Sequence, residues 1–165
     1  SYRYNKDPEL YQIIKQAAES LMATQLPNGY IGNYAPEHQL KEWDVWGRKY
    51  SSLGLIAWYD LSGEKKALEA ACKVIDHLMT QVGSGKTSIV ATGNYIGMPS
   101  SSILEPVMYL YNRTKEVRYL DFAKYIVGNT RRSPADKQGD CGCACRKSIP
   151  ASESVVFTRE RAKGV

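Results

Sequence analysis

The sequence has 165 residues and a formal net charge of +5, a length at which a single domain buries its own hydrophobic core without disulfides or metal ions. The charge is uneven, because residues 1–127 carry 14 Lys and Arg against 13 Asp and Glu, whereas residues 128–165 carry 8 against 4. A nearly neutral body argues against nucleic-acid binding, and no apolar run reaches the roughly 18 residues of a membrane span, so neither nucleic acid nor membrane is expected as a partner.

Helical patterns dominate residues 1–127. Asp7 followed by Pro8 is typical of a helix start, because the carboxylate caps free N–H groups and proline lacks the N–H that would be unpaired there. Apolar residues then recur at helical spacing, and this periodicity returns after each loop rich in Gly, Pro and Asn. The sequence predicts five helices, over about residues 8–24, 42–61, 64–82, from the capping-box pair Ser102 and Glu105 onward, and 116–127.

An internal repeat organises these helices. Two segments align at an offset of 52 residues, with the pairs Tyr59/Tyr111, Ser62/Thr114, Glu64/Glu116, Leu68/Leu120 and Ala71/Ala123. Each copy contains the end of one helix, a tight turn and the start of the next helix, so the unit is an αα-hairpin. Such hairpins stack side by side, either as an open solenoid or as a closed toroid around a central pocket. The predicted fold class is therefore all-α, built of helical hairpins.

Several residues that could carry chemistry have simpler structural explanations. The segment GSGKTS is two residues shorter than a phosphate-binding loop and follows a helix, which favours a solvated turn. Glu105 could act as an acid, but helix capping explains it more simply. His38 and His77 each lack a second histidine at i+4, and Cys72 lies in an apolar stripe, so no metal site is predicted from these residues.

Aromatic residues are the most informative feature of the sequence. One predicted helix carries Trp43, Trp46, Tyr50 and Trp58, and two loops carry Asn28, Tyr30, Tyr34, Asn94 and Tyr95. Flat aromatic faces beside amide and carboxylate groups suit a sugar, which offers C–H faces and many hydroxyls. The alternative is that the aromatic side chains fill space between hairpins, and residue types alone leave both interpretations open.

Three stretches carry a family resemblance: LPNGYIGNY, WDVWGRKYSSLGLIAWYDLSGEKKALEAACKVIDHLM and GMPSSSILEPVMYLYNRTKEVRYLDFAKYIV. Together they resemble the N-terminal part of the β-L-arabinofuranosidase-type glycoside hydrolases, family 127, over nearly all of residues 8–127. The resemblance implies a catalytic domain of six helical hairpins closed into an (α/α)6 toroid. It also implies hydrolysis of terminal L-arabinofuranose, or a similar sugar, from plant-type glycans.

The resemblance also implies where the catalytic groups lie. Better-known family members use a cysteine thiolate nucleophile held on zinc, with a separate Glu as acid/base, and these residues lie downstream of the matched region. We therefore expect no catalytic residue, metal ligand or cofactor in this chain, zinc only in a full-length relative, and no activity from the chain alone. The alternative function is a non-catalytic helical-repeat module that binds a partner.

Substrate-binding positions follow from the aromatic pattern and the resemblance together. Relatives have histidines where this chain has Trp43-Asp44-Val45-Trp46, Lys49-Tyr50 and Ser100-Ser101-Ser102, so the sugar specificity can differ. By this alignment Asp44, Tyr50 and Ser100 take pocket-lining positions. The predicted substrate-binding residues are Asn28, Tyr30, Trp43, Asp44, Trp46, Tyr50, Asn94, Tyr95 and Ser100.

The last part of the sequence differs in character. Residues 128–165 lack apolar periodicity and contain Cys141, Cys143 and Cys145 at alternate positions, a spacing that fits zinc sites poorly. Permitted codons for this segment, read one nucleotide later, encode a sequence like that of the family, with cysteines replaced by small apolar residues. We therefore interpret residues 1–127 as part of a toroid catalytic domain and residues 128–165 as an out-of-frame, disordered tail.

Two further expectations concern partners and location. A partial toroid exposes apolar helix faces, so self-association is expected in addition to carbohydrate binding. The sequence does not identify a compartment, and the expectation for a full-length parent is a periplasmic or secreted location.

Overall fold

A computed structural model describes residues 6–130. Five helices of eleven residues or more account for most of this segment: α1 Pro8–Ala23, α2 Asp44–Ser62, α3 Lys65–Gln81, α4 Leu104–Thr114 and α5 Val117–Thr130. Residues 6–130 contain no β-strand, only one isolated bridge between Val82 and Thr87, and the predicted all-α fold class is confirmed. None of these helices has both the length and the apolarity that a membrane crossing requires.

The repeated turn predicted from the sequence is present in both hairpins. Gly63 ends α2 with φ 75°, and Lys115, 52 residues later, ends α4 with φ 60°. In each turn a hydroxyl accepts a hydrogen bond from the backbone N–H two residues on, at 3.1 Å for Ser62 and 3.2 Å for Thr114. The two hairpins, α2–α3 and α4–α5, therefore repeat in backbone geometry as well as in sequence.

One predicted helix cap is wrong. The sequence predicts that Ser102 and Glu105 form a capping box, yet α4 begins at Leu104 and has no side-chain cap. A helical turn over Met98–Ser101 immediately precedes it, so the Ser102 backbone is already helical and its hydroxyl donates to the Pro99 carbonyl at 2.5 Å. Glu105 is thereby free to pair with Lys49 of α2, at 3.1 Å.

The hydrophobic core lies between the two hairpins. Its fully buried members include Leu55, Ile75, Leu78, Val107, Leu110 and Ile126. Ion pairs join the hairpins outside this core, with Arg113 bound to Asp60 and Arg118 bound to Asp76. Helix α1 packs on the other side of hairpin α2–α3, where it covers the buried Trp58 and Ala67. The order in space is therefore α1, then α2–α3, then α4–α5.

The GSGKTS segment is a turn, as predicted. It follows α3, and the Lys86 ammonium donates to the Met79 carbonyl at 2.6 Å, which closes the turn onto the end of that helix. No strand precedes it among the described residues, so the framework of a phosphate-binding loop is missing there.

We predict that Leu110→Ala destabilises the fold by about 3 kcal/mol, because it leaves a cavity between the hairpins in place of a fully buried side chain. Urea unfolding followed by circular dichroism measures the change. Val117→Ala is the matched control, since Val117 is 62% exposed and its truncation should change the free energy of unfolding by less than about 0.5 kcal/mol. Equal losses in the two variants would contradict this assignment of the core.

Candidate functional site

Four exposed aromatic side chains form one continuous surface, which we call the aromatic row. Trp43 lies directly before α2, and Trp46 and Tyr50 lie on α2; the three share one side of the helix because side chains three and four positions apart are neighbours. The ring centroids are 5.6 Å apart for Trp43 and Trp46, and 4.4 Å apart for Trp46 and Tyr50. Tyr95 from the second loop joins the row at 6.3 Å from Trp43. Between 40% and 72% of each side chain is exposed, which is unusual for large aromatics.

The loops beside this row contain residues with strained backbone conformations. Tyr95 and Ile96 have φ of 53° and 55°, and Leu40 and Glu42 have φ of 64° and 47°. Left-handed conformations of this kind cost non-glycine residues roughly 1 kcal/mol or more each and cluster at functional sites. They persist here because the surrounding structure fixes the loops.

A glycine lets the two loops touch. Gly93 donates its N–H to the Leu40 carbonyl at 2.8 Å, and a Cβ at Gly93 would lie 2.6 Å from the Glu42 carbonyl oxygen. With φ of 63°, the position also favours glycine for conformational reasons. The contact joins the first loop to the loop that carries Tyr95.

A buried ion pair supports the row from beneath. Asp44 and Arg48 lie one helical turn apart on α2, and their side chains are fully buried, with 2.7 Å between Arg48 Nη2 and Asp44 Oδ2. Both carboxylate oxygens have a second donor: the Tyr30 hydroxyl donates to Oδ1 at 2.8 Å, and the Leu40 N–H donates to Oδ2 at 2.8 Å. Asp44 therefore ties the first loop to the start of α2.

The other side of Arg48 reaches α3. Its Nη1 donates to Gln81 Oε1 at 2.8 Å and lies 3.3 Å from His77 Nδ1. Gln39 from the first loop accepts from both Arg48 and Gln81, at 3.3 and 2.8 Å. The guanidinium also lies over the Tyr30 ring, 4.6 Å from its centroid. One cation thus connects α2, α3 and the first loop.

Burial shifts the pKa values of two titratable groups in this network. Burial, together with the hydrogen bond to Asp44, raises the pKa of Tyr30 to about 12. Burial, followed by the nearby Arg48 charge, lowers the pKa of His77, while Asp44 acts in the opposite direction. Tyr30 therefore stays a neutral donor, and a neutral His77 avoids placing a second cation against Arg48.

The predicted site residues fall into two groups. Trp43, Trp46, Tyr50 and Tyr95 meet in the exposed row, while Tyr30, Asp44 and Ser100 lie beneath the surface, each at most 2% exposed. The Ser100 hydroxyl donates to the Thr92 carbonyl at 3.3 Å and so packs inside the second loop.

The two predicted asparagines have loop contacts. The Asn28 side chain accepts from the Tyr30 N–H at 3.1 Å, and the Asn94 carbonyl accepts from the Gly97 N–H at 3.1 Å. The assignment of all nine residues to substrate binding stays a prediction.

Sequence reasoning does not identify Arg48, although it is the most connected side chain beneath the row. The available signal is the i, i+4 spacing of Asp44 and Arg48, which is typical of a helix ion pair. That spacing gives no indication of burial, since most such pairs lie in solvent. Only the partners from α3 and the first loop make this pair an interior one.

A polar rim borders the row. The Lys49 ammonium lies 5.3 Å from the centroid of the Tyr50 ring and 3.1 Å from Glu105 Oε2. The Tyr109 hydroxyl donates to the other Glu105 oxygen at 3.4 Å. The rim therefore places charged donors and acceptors beside an apolar aromatic surface.

Comparisons with known proteins find one matching family model and a similar solved structure. A family model described as "Beta-L-arabinofuranosidase, GH127 catalytic domain" matches residues 1–148, and thus runs beyond Val127. The crystal structure of a GH127 β-L-arabinofuranosidase from Geobacillus stearothermophilus T6 is similar, with a TM-score of 0.61 and 24% sequence identity. That alignment covers 78% of this chain and 21% of the other, so the chain spans about a fifth of that protein's length. No curated protein matches the chain.

The structural match supports the predicted helical toroid as the fold, with this chain as a part of it. The predicted boundary at Val127 and the frameshift interpretation of residues 128–165, including Cys141, Cys143 and Cys145, fall largely outside the described residues and stay predictions.

We predict that Asp44→Asn destabilises the fold by about 3 to 5 kcal/mol, because it leaves the Arg48 guanidinium buried without a counter-charge. Urea unfolding measures the loss. Asp121→Asn provides the control, since the Asp121–Lys124 pair is more than 60% exposed on both sides and contributes little. A change below about 1 kcal/mol for Asp44→Asn would contradict the supporting role of the pair.

We predict a loss of stability as the pH falls from 7.5 to 5.5, part of which depends on His77. The pKa of His77 in the folded state lies below the ordinary value of 6.5. Its contribution to the free energy of unfolding is therefore present above pH 6.5 and is lost as the pH falls through the folded pKa. His77→Gln should reduce the difference between free energies of unfolding at the two pH values, and His38→Gln, at an exposed position, should preserve it. An unchanged pH dependence in His77→Gln would contradict this role.

Proposed function

The chain belongs to the β-L-arabinofuranosidase family of GH127 catalytic domains, a family of glycoside hydrolases, and from that membership we propose that its aromatic row binds the sugar of a glycoside substrate. The observation that carries the proposal is the exposure of Trp43, Trp46, Tyr50 and Tyr95 as one surface. Sugar rings stack their C–H faces on aromatic rings, and hydroxyls at the ring edge need hydrogen-bond partners.

The polar rim supplies such partners. The Glu105 carboxylate can accept from sugar hydroxyls, and the Lys49 ammonium and Tyr109 hydroxyl beside it can donate. Because the two Asp44 oxygens are occupied within the fold, Asp44 acts on the sugar only by holding α2 and the first loop in place. We propose terminal L-arabinofuranose as the ligand, since the similar solved structure is a β-L-arabinofuranosidase.

The described residues do not fit the zinc-bound thiolate that the family resemblance implies. No three or more His, Cys, Asp or Glu side chains within residues 6–130 are placed together to hold a metal ion. Burial raises the pKa of the Cys72 thiol, which opposes the thiolate form that a metal ligand or nucleophile needs. We therefore propose that residues 6–130 contribute substrate binding, and that the bond-breaking groups of the family lie outside them.

We predict that methyl β-L-arabinofuranoside changes the tryptophan fluorescence of the chain and that Trp46→Ala weakens this binding about tenfold, through loss of one stacking surface. Trp58→Phe is the matched control. Trp58 is 2% exposed beneath α1, so its fluorescence should not respond to sugar and its replacement should leave the sugar affinity unchanged. Methyl β-D-glucopyranoside tests the choice of sugar. No saturable response to either sugar in the folded chain would refute the binding proposal.

Release of free arabinose from the same glycoside is measured in parallel. We expect none above the uncatalysed background from the chain alone. If the chain does release arabinose and Trp46→Ala lowers the rate, the result would support the binding role of Trp46. The same result would overturn the proposal that the bond-breaking groups lie outside residues 6–130.

A further inference from the structure

A pocket lies beside the aromatic row, in the part of the first loop that precedes α2. Residues 33–42 form a cavity of about 460 Å³, within the roughly 300–1,000 Å³ that small-molecule sites have. We call this cavity the loop pocket. Its lining comes from that one segment: Asn33, Tyr34, Ala35, His38, Lys41 and Glu42.

The loop pocket borders the row at Trp43. The Tyr34 hydroxyl accepts a hydrogen bond from the Trp43 N–H and donates to Glu42 Oε2, both at 3.4 Å. Because Tyr34 and Glu42 line the pocket, these contacts join the pocket wall to Trp43. The polar rim lies beside Tyr50 instead. The row therefore has hydrogen-bonding groups at two separate places, one near Trp43 and one near Tyr50.

Contacts to buried side chains fix the shape of the loop pocket. The Tyr34 N–H donates to the buried Tyr30 hydroxyl at 3.2 Å, and the Leu40 N–H donates to the buried Asp44 at 2.8 Å. Glu42 has φ of 47°, a left-handed conformation that a non-glycine residue adopts only at a cost. A loop that is already held in place loses less conformational entropy when a ligand binds. The loop is therefore suited to bind a ligand without rearranging.

The charges in the loop pocket favour a neutral ligand. Lys41 and Glu42 are both exposed residues of opposite charge. The Lys41 ammonium can donate and the Glu42 carboxylate can accept, while the Asn33 amide and the His38 ring can do both. A ligand with many hydroxyls matches such a lining, whereas Glu42 would repel an anion and Lys41 would repel a cation.

The row is also longer than one sugar. A furanose ring is about as wide as a single aromatic ring, whereas Trp43, Trp46 and Tyr50 present three rings in succession. One sugar on Trp46 and Tyr50, next to the polar rim, leaves Trp43 and the loop pocket for another.

We propose that the loop pocket is a subsite for a second, neutral sugar unit, which stacks on Trp43 and hydrogen-bonds to Glu42 and Lys41. The assignment rests on the proposed function of the aromatic row, and it narrows the ligand class to a saccharide of at least two units. Since the two units are covalently joined, contacts of the second unit add to the affinity without a second loss of translational freedom.

Isothermal titration calorimetry of the full chain tests the subsite. It compares methyl β-L-arabinofuranoside with a panel of methyl arabinofuranosyl disaccharides that covers every linkage between two such units. We expect at least one disaccharide to bind about tenfold more tightly than the monosaccharide. Glu42→Ala should lower this ratio of affinities toward one, because it removes an acceptor from the pocket. A general distortion of the site would instead weaken both ligands and leave the ratio unchanged.

Glu37→Ala is the matched control. Glu37 is an exposed residue of the same loop that does not line the pocket, so its replacement should preserve the ratio. Where Glu42→Ala lacks native circular dichroism, Lys41→Ala replaces it, with the same expected loss.

Equal affinities for the monosaccharide and every disaccharide would overturn the second subsite and leave the proposed function of the row intact. A gain that both Glu42→Ala and Lys41→Ala preserve would mean that the second unit binds elsewhere, which would also overturn the proposal. Tighter binding of a disaccharide whose second unit is a uronic acid would overturn the choice of a neutral sugar. Failure of every ligand to bind would count against the proposed function itself, and against the subsite with it.

Discussion

The buried pair of Asp44 and Arg48 is the interaction on which the rest of the site depends. Placing two charges in an interior is costly unless both are fully hydrogen-bonded, and here the first loop and α3 both supply partners. Since each partner is also a constraint on the segment that carries it, the pair fixes the first loop and α3 relative to α2. Stability gained from the pair is less important than the single arrangement it permits.

That arrangement explains why large aromatic side chains can remain exposed in a fixed position. Trp43 directly precedes Asp44 at the start of α2, so the pair that anchors Asp44 also fixes the beginning of the aromatic row. Strain at Leu40 and Glu42 is maintained because the Leu40 backbone is bonded to Asp44 on one side and Gly93 on the other. Through Gly93 the constraint passes to the loop that carries Tyr95.

The sequence predicts what depends on local pattern. The Asp7 cap, the Gly63 turn and the 52-residue repeat each follow from residues close together in the chain, and the structure has all three. Prediction from the sequence fails where the position of a side chain depends on partners that are distant in the chain. Ser102 does not cap α4 because an unforeseen helical turn precedes it, and Arg48 is interior because Gln39 and Gln81 surround it. Aromatic composition leaves sugar binding and core packing both open, and it does not separate exposed Trp46 from buried Tyr30.

Two surfaces within residues 6–130 differ in the chemistry that each can accept. A sugar loses hydrogen bonds to water on binding, so it needs polar partners beside an apolar ring, and the Lys49–Glu105 rim provides them next to Tyr50. A groove between α4 and α5, lined by Met108 and Val127, would leave sugar hydroxyls unsatisfied, whereas the apolar face of a helix loses nothing there. Among the described residues, the aromatic row on α2 therefore lies beside charged donors and acceptors, whereas the groove on the last described hairpin is lined mainly by apolar side chains.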